Sequence, residues 1–226
     1  MFKIIIIFSI CFFLNDLNAQ GKIIVFSGIS GTGKSTMARM LSEKINAQCL
    51  CEPEEPQWPL TIKRLYGSAN GMFALRELWL NLYLEADMQR KQGKLVCIDT
   101  YFLKTIGYYL DKPGMEWLVN PHDPYMPFLK EVFLLDQQYI PDVDCVIHFD
   151  IDFEDWIQFL ESRGRPGDFI PEVRQFFACN KKYLLDATIE HCKKYNIQLL
   201  FFTHHFGDPE IQADSLVDFL IFEDIL

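Results

Sequence analysis

The residues best able to do chemistry in this 226-residue chain are Gly28, Ile29, Ser30, Gly31, Thr32, Gly33, Lys34, Ser35 and Thr36. The first eight satisfy the pattern G-x-x-x-x-G-K-[ST], and they stand between a β-branched run at 22–27 and a segment of helical spacing from residue 34. Glycines let the backbone curl until successive N–H groups converge on a phosphate, and the following helix N-terminus adds a favourable dipole. Lys34 is placed to reach the β- and γ-oxygens, and the Ser35 hydroxyl to coordinate Mg²⁺. The chemistry expected is binding of a nucleoside triphosphate, with ATP and Mg²⁺ as the cofactors.

Three further features bear on what is done with that triphosphate. Glu52 and Pro53 follow the second strand-like run, with Trp58 six residues after Glu52. A carboxylate there could accept a hydroxyl proton and an indole could stack on a base; the alternative is a solvated acidic loop of Glu52, Glu54 and Glu55 beside a core tryptophan. Arg163 and Arg165 stand on a glycine- and proline-rich stretch after a helix. Arginines closing over a moving phosphoryl group stabilise its charge and exclude water, and the alternative is a solvated basic turn. Asp99 ends an apolar run, where it could hold Mg²⁺ or cap a helix.

Stepping along the chain, strand-like runs at 22–27, 48–51, 94–99, 144–150 and 197–202 alternate with helix-like segments at 34–46, 72–92, 153–162 and 172–195. This alternation predicts an α/β fold, a five-stranded doubly wound parallel sheet with helices on both faces and an arginine-bearing lid. The acidic residues near the C-terminus interleave with Leu216, Phe219, Leu220 and Phe222 and read as a terminal amphipathic helix. No internal repeat or linker divides the chain, so residues 21–226 are expected to form one domain after a separate segment at 1–20.

Composition sets the outer limits. Half the residues are apolar, 23% are charged, and the net charge of −10 argues against a nucleic-acid polymer as partner. The seven cysteines form no C-x-x-C pair and are expected to be reduced, structural thiols, with Cys97 and Cys145 inside strands. Lys3, the apolar run 4–14 and Ala19 have the parts of a secretory signal, too short for a stable membrane span. Triphosphate chemistry sets the opposite expectation, a cytoplasmic location with residues 1–20 as an extension.

Together these motifs resemble the deoxynucleoside kinase group and its relative thymidylate kinase, from residue 22 to about 202. The resemblance rests on the loop 28–35, on Glu52, Pro53 and Trp58, and on Arg163 and Arg165. Asn81 and Tyr83 are similar to that group's base-reading pair, Glu116 to its sugar-reaching segment, and the run 141–150 to the strand before its lid. The resemblance implies a kinase moving the γ-phosphate of ATP to a small nucleoside-type acceptor. It makes Glu52 the general base, with Trp58, Asn81, Tyr83 and Glu116 as substrate contacts and Arg163 and Arg165 as phosphate clamps. A nucleoside monophosphate kinase and a P-loop module without transfer activity are the alternatives, and a homodimer is the assembly considered.

Two departures from the group bear on the acceptor. Thr100 stands where an arginine usually follows the strand-end acid, leaving Lys104 or Arg90 to substitute. Asn81 replaces a glutamine and shortens the reach to a base. A monophosphate acceptor would need further cations, for which Arg64, Arg76 and Arg90 are the candidates.

Overall fold

The computed structural model describes residues 21–102, 119–165, 171–175 and 177–226. Strand β1 (Ile23–Ser27) runs into the glycine loop and helix α1 (Lys34–Lys44), then edge strand β2 (Gln48–Leu50). A 3₁₀ turn (Glu55–Gln57) and short helix α2 (Leu60–Leu65) lead to the long helix α3 (Ala69–Lys91) and strand β3 (Val96–Ile98). The chain continues through α4 (Met126–Asp136), β4 (Cys145–Asp150), α5 (Phe153–Arg163), α6 (Pro171–Gln175), α7 (Phe177–Tyr195), β5 (Gln198–Thr203) and α8 (Pro209–Phe222). The strands form one sheet in the order β2-β3-β1-β4-β5, with each neighbouring pair parallel.

Side-chain alternation along the strands divides the core into two layers. From β1 and β3, Ile23, Val25, Val96 and Ile98 face one side, where α3, α4, α5 and α7 contribute Trp79, Phe133, Trp156 and Leu184. From the same strands, Ile24, Phe26 and Cys97 face the other, against Met37 and Leu41 of α1 and Leu216 and Leu220 of α8. All residues of β1 are buried, as a central parallel strand covered on both faces requires. This is the α/β architecture that the strand and helix spacing implies.

Local signals set the element ends. Helix α3 begins three residues before the apolar periodicity starts, because the Ser68 side chain accepts from the Gly71 N–H and caps it. Asp152 caps α5 through the Asp155 N–H, and Asp208 caps α8 through the Glu210 N–H. Cys97 and Cys145 are buried free thiols, as expected of them. The signal-like segment 1–20, Lys104 and Glu116 lie outside the described residues. Among the described residues no helix is long and apolar enough to cross a membrane.

Candidate active site

The glycine loop leaves the carboxyl end of β1, at the sheet edge where open α/β sheets place their ligands. Gly33 caps α1 in the left-handed conformation, at φ 71°. A Cβ there would sit 3.1 Å from His204 Nε2 and 3.2 Å from the Phe159 ring, so backbone freedom and close approach both call for glycine. Lys34 Nζ lies over the loop and donates to the Ile29 carbonyl at 2.5 Å and to Thr32 Oγ1 at 3.3 Å. Thr32 Oγ1 in turn donates to the Ile29 carbonyl at 3.1 Å.

Immediately below the loop, three elements meet at one carboxylate. Ser35 Oγ, on the first turn of α1, donates to Asp99 Oδ2 at 2.5 Å. The Glu52 N–H, just past β2, donates to Asp99 Oδ1 at 2.8 Å. Parallel pairing of β2 with β3 and of β3 with β1 brings these positions together, since all three strands end on the same side. The Ser35 and Asp99 oxygens are hard donors of the type Mg²⁺ prefers, and Mg²⁺ usually keeps several waters beside one or two protein oxygens. The donor set therefore fits the ion.

The lid approaches from the opposite side. Trp156 Nε1 of α5 donates to the Ser30 carbonyl at 2.9 Å, and Arg163 Nη1 reaches Ser30 Oγ at 3.4 Å. Arg165, beyond the left-handed cap at Gly164, pairs with Glu54 on the acidic loop after β2. One arginine of the pair thus touches the phosphate loop, and the other touches the loop that carries Glu52. Trp58 braces that loop, donating from Nε1 to the Pro53 carbonyl at 2.9 Å and stacking on Tyr66 with centroids 5.7 Å apart. Burial pushes the Tyr66 phenol up to about 12, with Glu55 and Glu52 adding to the effect.

Tyr83 departs from the substrate-contact role given to it. It is 1% exposed, donates to the Thr100 carbonyl and accepts from the Phe102 N–H. Both its polar functions are satisfied by main chain, and burial holds its phenol protonated. It therefore positions the segment after β3 instead of meeting a substrate. Asn81 is exposed, on an open groove of about 620 Å³ lined also by Thr61, Phe73, Arg76 and Glu77.

Of the three cations named for a monophosphate acceptor, the two on α3 are paired with carboxylates. Arg90 pairs with Asp87 and donates to the Asp142 carbonyl, at the amino edge of the sheet and away from the phosphate loop. Arg76 makes a two-pronged pair with Asp136 of α4. Arg64 is exposed on α2.

Several residues framing the loop had no sequence signal, because they come from segments more than a hundred positions away. His204 stacks on Phe159 with centroids 5.1 Å apart, beside Gly33. Burial lowers the His204 pKa to about 4, and His205 and Lys34 push it the same way. His148 is lowered to about 4 by burial and lies 3.3 Å from Ser27 Oγ at the end of β1.

No family model matches the chain. It is 50% identical over 155 residues to a probable thymidylate kinase of Methanococcus vannielii, an alignment covering 65% of this chain and 69% of that protein. It is 32% identical over 103 residues to a thymidylate kinase of Desulfotalea psychrophila, covering 40% of this chain and 51% of the relative. Among solved structures, the thymidylate kinase from Candida albicans superposes with a TM-score of 0.66 at 19% identity, covering 91% of this chain and 93% of that one. A deoxyadenosine kinase from M. mycoides gives 0.60 at 17% identity, covering 88% and 99%. The two structural likenesses establish the fold, and the first sequence relative establishes the lineage. With the phosphate loop in place, the chain belongs to the thymidylate kinase family of P-loop kinases and is an ATP-dependent phosphotransferase acting on a nucleoside or nucleotide.

Proposed function

We propose that the acceptor is a deoxynucleoside-type molecule whose hydroxyl is set beside Glu52, and that the donor is ATP with Mg²⁺. The observation that carries this reading is the junction of Ser35, Asp99 and Glu52 under the glycine loop. Main-chain N–H groups of residues 28–36, with the α1 N-terminus, hold the triphosphate. Ser35 and Asp99 would hold Mg²⁺, which when bound neutralises charge on the β- and γ-oxygens. Lys34 would exchange its contacts with Ile29 and Thr32 for phosphate oxygens. Glu52 accepts the acceptor hydroxyl's proton, while Arg163 and Arg165 stabilise charge on the group in transit and exclude water.

A neutral acceptor is supported by the pairing of Arg76 and Arg90 with carboxylates and by Thr100 in place of a cation, which among the described residues leaves Arg64, exposed on α2, as the remaining candidate for an acceptor phosphate. A second reading takes thymidylate as the acceptor, supported by the names of the curated relatives.

The test is ADP release with Mg²⁺-ATP against a panel of deoxynucleosides and their monophosphates. Turnover of the nucleosides supports the first reading, and turnover of the monophosphates alone transfers the assignment to the second. Glu52→Gln should lower kcat by about 10²–10⁴ while ATP binding is retained. A kcat equal to wild type would remove Glu52 from the chemistry.

A further inference from the structure

Cys49 on β2 and Cys51 just past its end form a thiol pair that the phosphotransfer reading does not use. Cys49 and Cys51 are two residues apart, so an extended backbone puts both side chains on one side. Their sulfurs lie 3.4 Å apart, and both residues are half-buried, within reach of small solutes. Cys49 sits in register with buried Cys97. The residue after Cys51 is Glu52, whose N–H is held by Asp99. The Asp99 N–H in turn donates to the Leu50 carbonyl at 3.2 Å, between the two cysteines. The thiol pair and the Glu52 anchor are therefore parts of one short peptide.

We propose that Cys49 and Cys51 are a reversible oxidation site, closing to an intrachain disulfide with a small hydroperoxide as oxidant, and that closure withdraws Glu52 from the active site. The Cys49 thiolate attacks one peroxide oxygen, the O–O bond breaks, and hydroxide leaves, giving a sulfenic acid on Cys49. Cys51 sulfur then attacks that sulfur. The S–S bond forms, the S–O bond breaks, and the departing hydroxide takes the Cys51 proton as water. In sum, two thiols and one hydrogen peroxide give one disulfide and two waters.

The division of labour follows from the pair itself. Cys51 as hydrogen-bond donor stabilises a thiolate on Cys49, whose pKa falls to about 7, and the same bond together with burial raises that of Cys51.

Closure has a mechanical consequence. Two residues of strand span about 6.6–6.8 Å between Cα atoms, at the long end of what a disulfide tolerates and beyond its preferred span of about 5.5–6 Å. Forming the bond draws Cys51 toward Cys49 and pulls the Glu52 N–H off Asp99. The bond itself does not depend on the role given to Glu52, but the effect on turnover does rest on that reading.

The experiment treats the reduced full chain with one to a few equivalents of hydrogen peroxide, alkylates the remaining thiols and maps the peptides by mass. Expected is a Cys49–Cys51 disulfide, with exposed Cys179 still alkylated in the same sample. Turnover should fall about a hundredfold, the scale of a 1 Å misplacement of a catalytic group, and return on treatment with a dithiol. Cys49→Ser and, separately, Cys51→Ser should keep basal turnover and lose the peroxide sensitivity. Both cysteines remaining alkylatable would overturn the proposal, as would a disulfide with turnover unchanged, or a Cys49→Ser variant inactivated as fast as wild type. A chain that forms the disulfide but never turned over before oxidation would refute the kinase assignment of Glu52 and leave the site standing.

Discussion

Asp99 is held from two directions, by Ser35 Oγ on one oxygen and by the Glu52 N–H on the other. A carboxylate so placed can share its charge with a cation beside Ser35 while its other oxygen fixes the β2 end. Asp99→Asn preserves the size and the acceptor toward Glu52 but removes the charge. The Mg²⁺ concentration giving half-maximal turnover should then rise about 10–100-fold, measured by metal titration at saturating ATP. An unchanged requirement would place the cation elsewhere. Tyr83 illustrates the opposite case: a residue type suited to reading a base is fully enclosed and serves the main chain.

Helix α5 is the element that joins the two halves of the site. Its Trp156 and Leu160 rest on the glycine loop, and its C-terminal arginine touches Ser30. Gly31 is at φ +82°, and a Cβ there would come within 2.4 Å of Leu160 Cδ2, a side chain only 1% exposed. Gly31→Ala must therefore displace α5 or the loop. The overpacking of about 1–3 kcal/mol adds to a left-handed penalty of about 1–2 kcal/mol in urea unfolding, and nucleotide binding should be lost in calorimetry. Gly164→Ala, at φ +66° with nothing nearer than 3.9 Å, is the comparison. It meets only the left-handed penalty of about 1–2 kcal/mol and should bind nucleotide as wild type does. Equal binding losses in both variants would show that backbone strain, and not the α5 contact, is responsible.

Over the whole molecule, the two-layered core encloses histidines that must stay neutral. His148 and His204 are each 2% exposed and each lowered to about 4. Their ordinary value is about 6.5. Between these values the unfolded chain binds more protons than the folded one, so stability is complete above pH 6.5 and falls as the pH drops toward 4. From pH 7 to pH 5 each site should remove about 2 kcal/mol. Denaturant unfolding of wild type and of His148→Gln at the two pH values checks this. The variant should lose about 2 kcal/mol less on acidification, and identical losses would discount His148 as a source of acid sensitivity.

The phosphate loop, the strand and helix alternation and the two arginines at the end of a helix were legible in the sequence because each is local. A loop of fixed spacing binds phosphate with its own backbone, and periodicity reports which faces must be buried. What the sequence could not settle was which polar side chains remain available. Arg76, Arg90 and Tyr83 looked like substrate contacts by type and position. Arg90 pairs with Asp87 only three positions back, but Asp136, Asp142 and the main chain of Thr100 and Phe102 lie between 17 and 60 residues from the groups they bind. Only the parallel stacking of β2, β3 and β1 brought Ser35, Glu52 and Asp99 to one point. Chain order carries the chemistry of a loop, whereas the commitment of a charge depends on neighbours that only folding supplies.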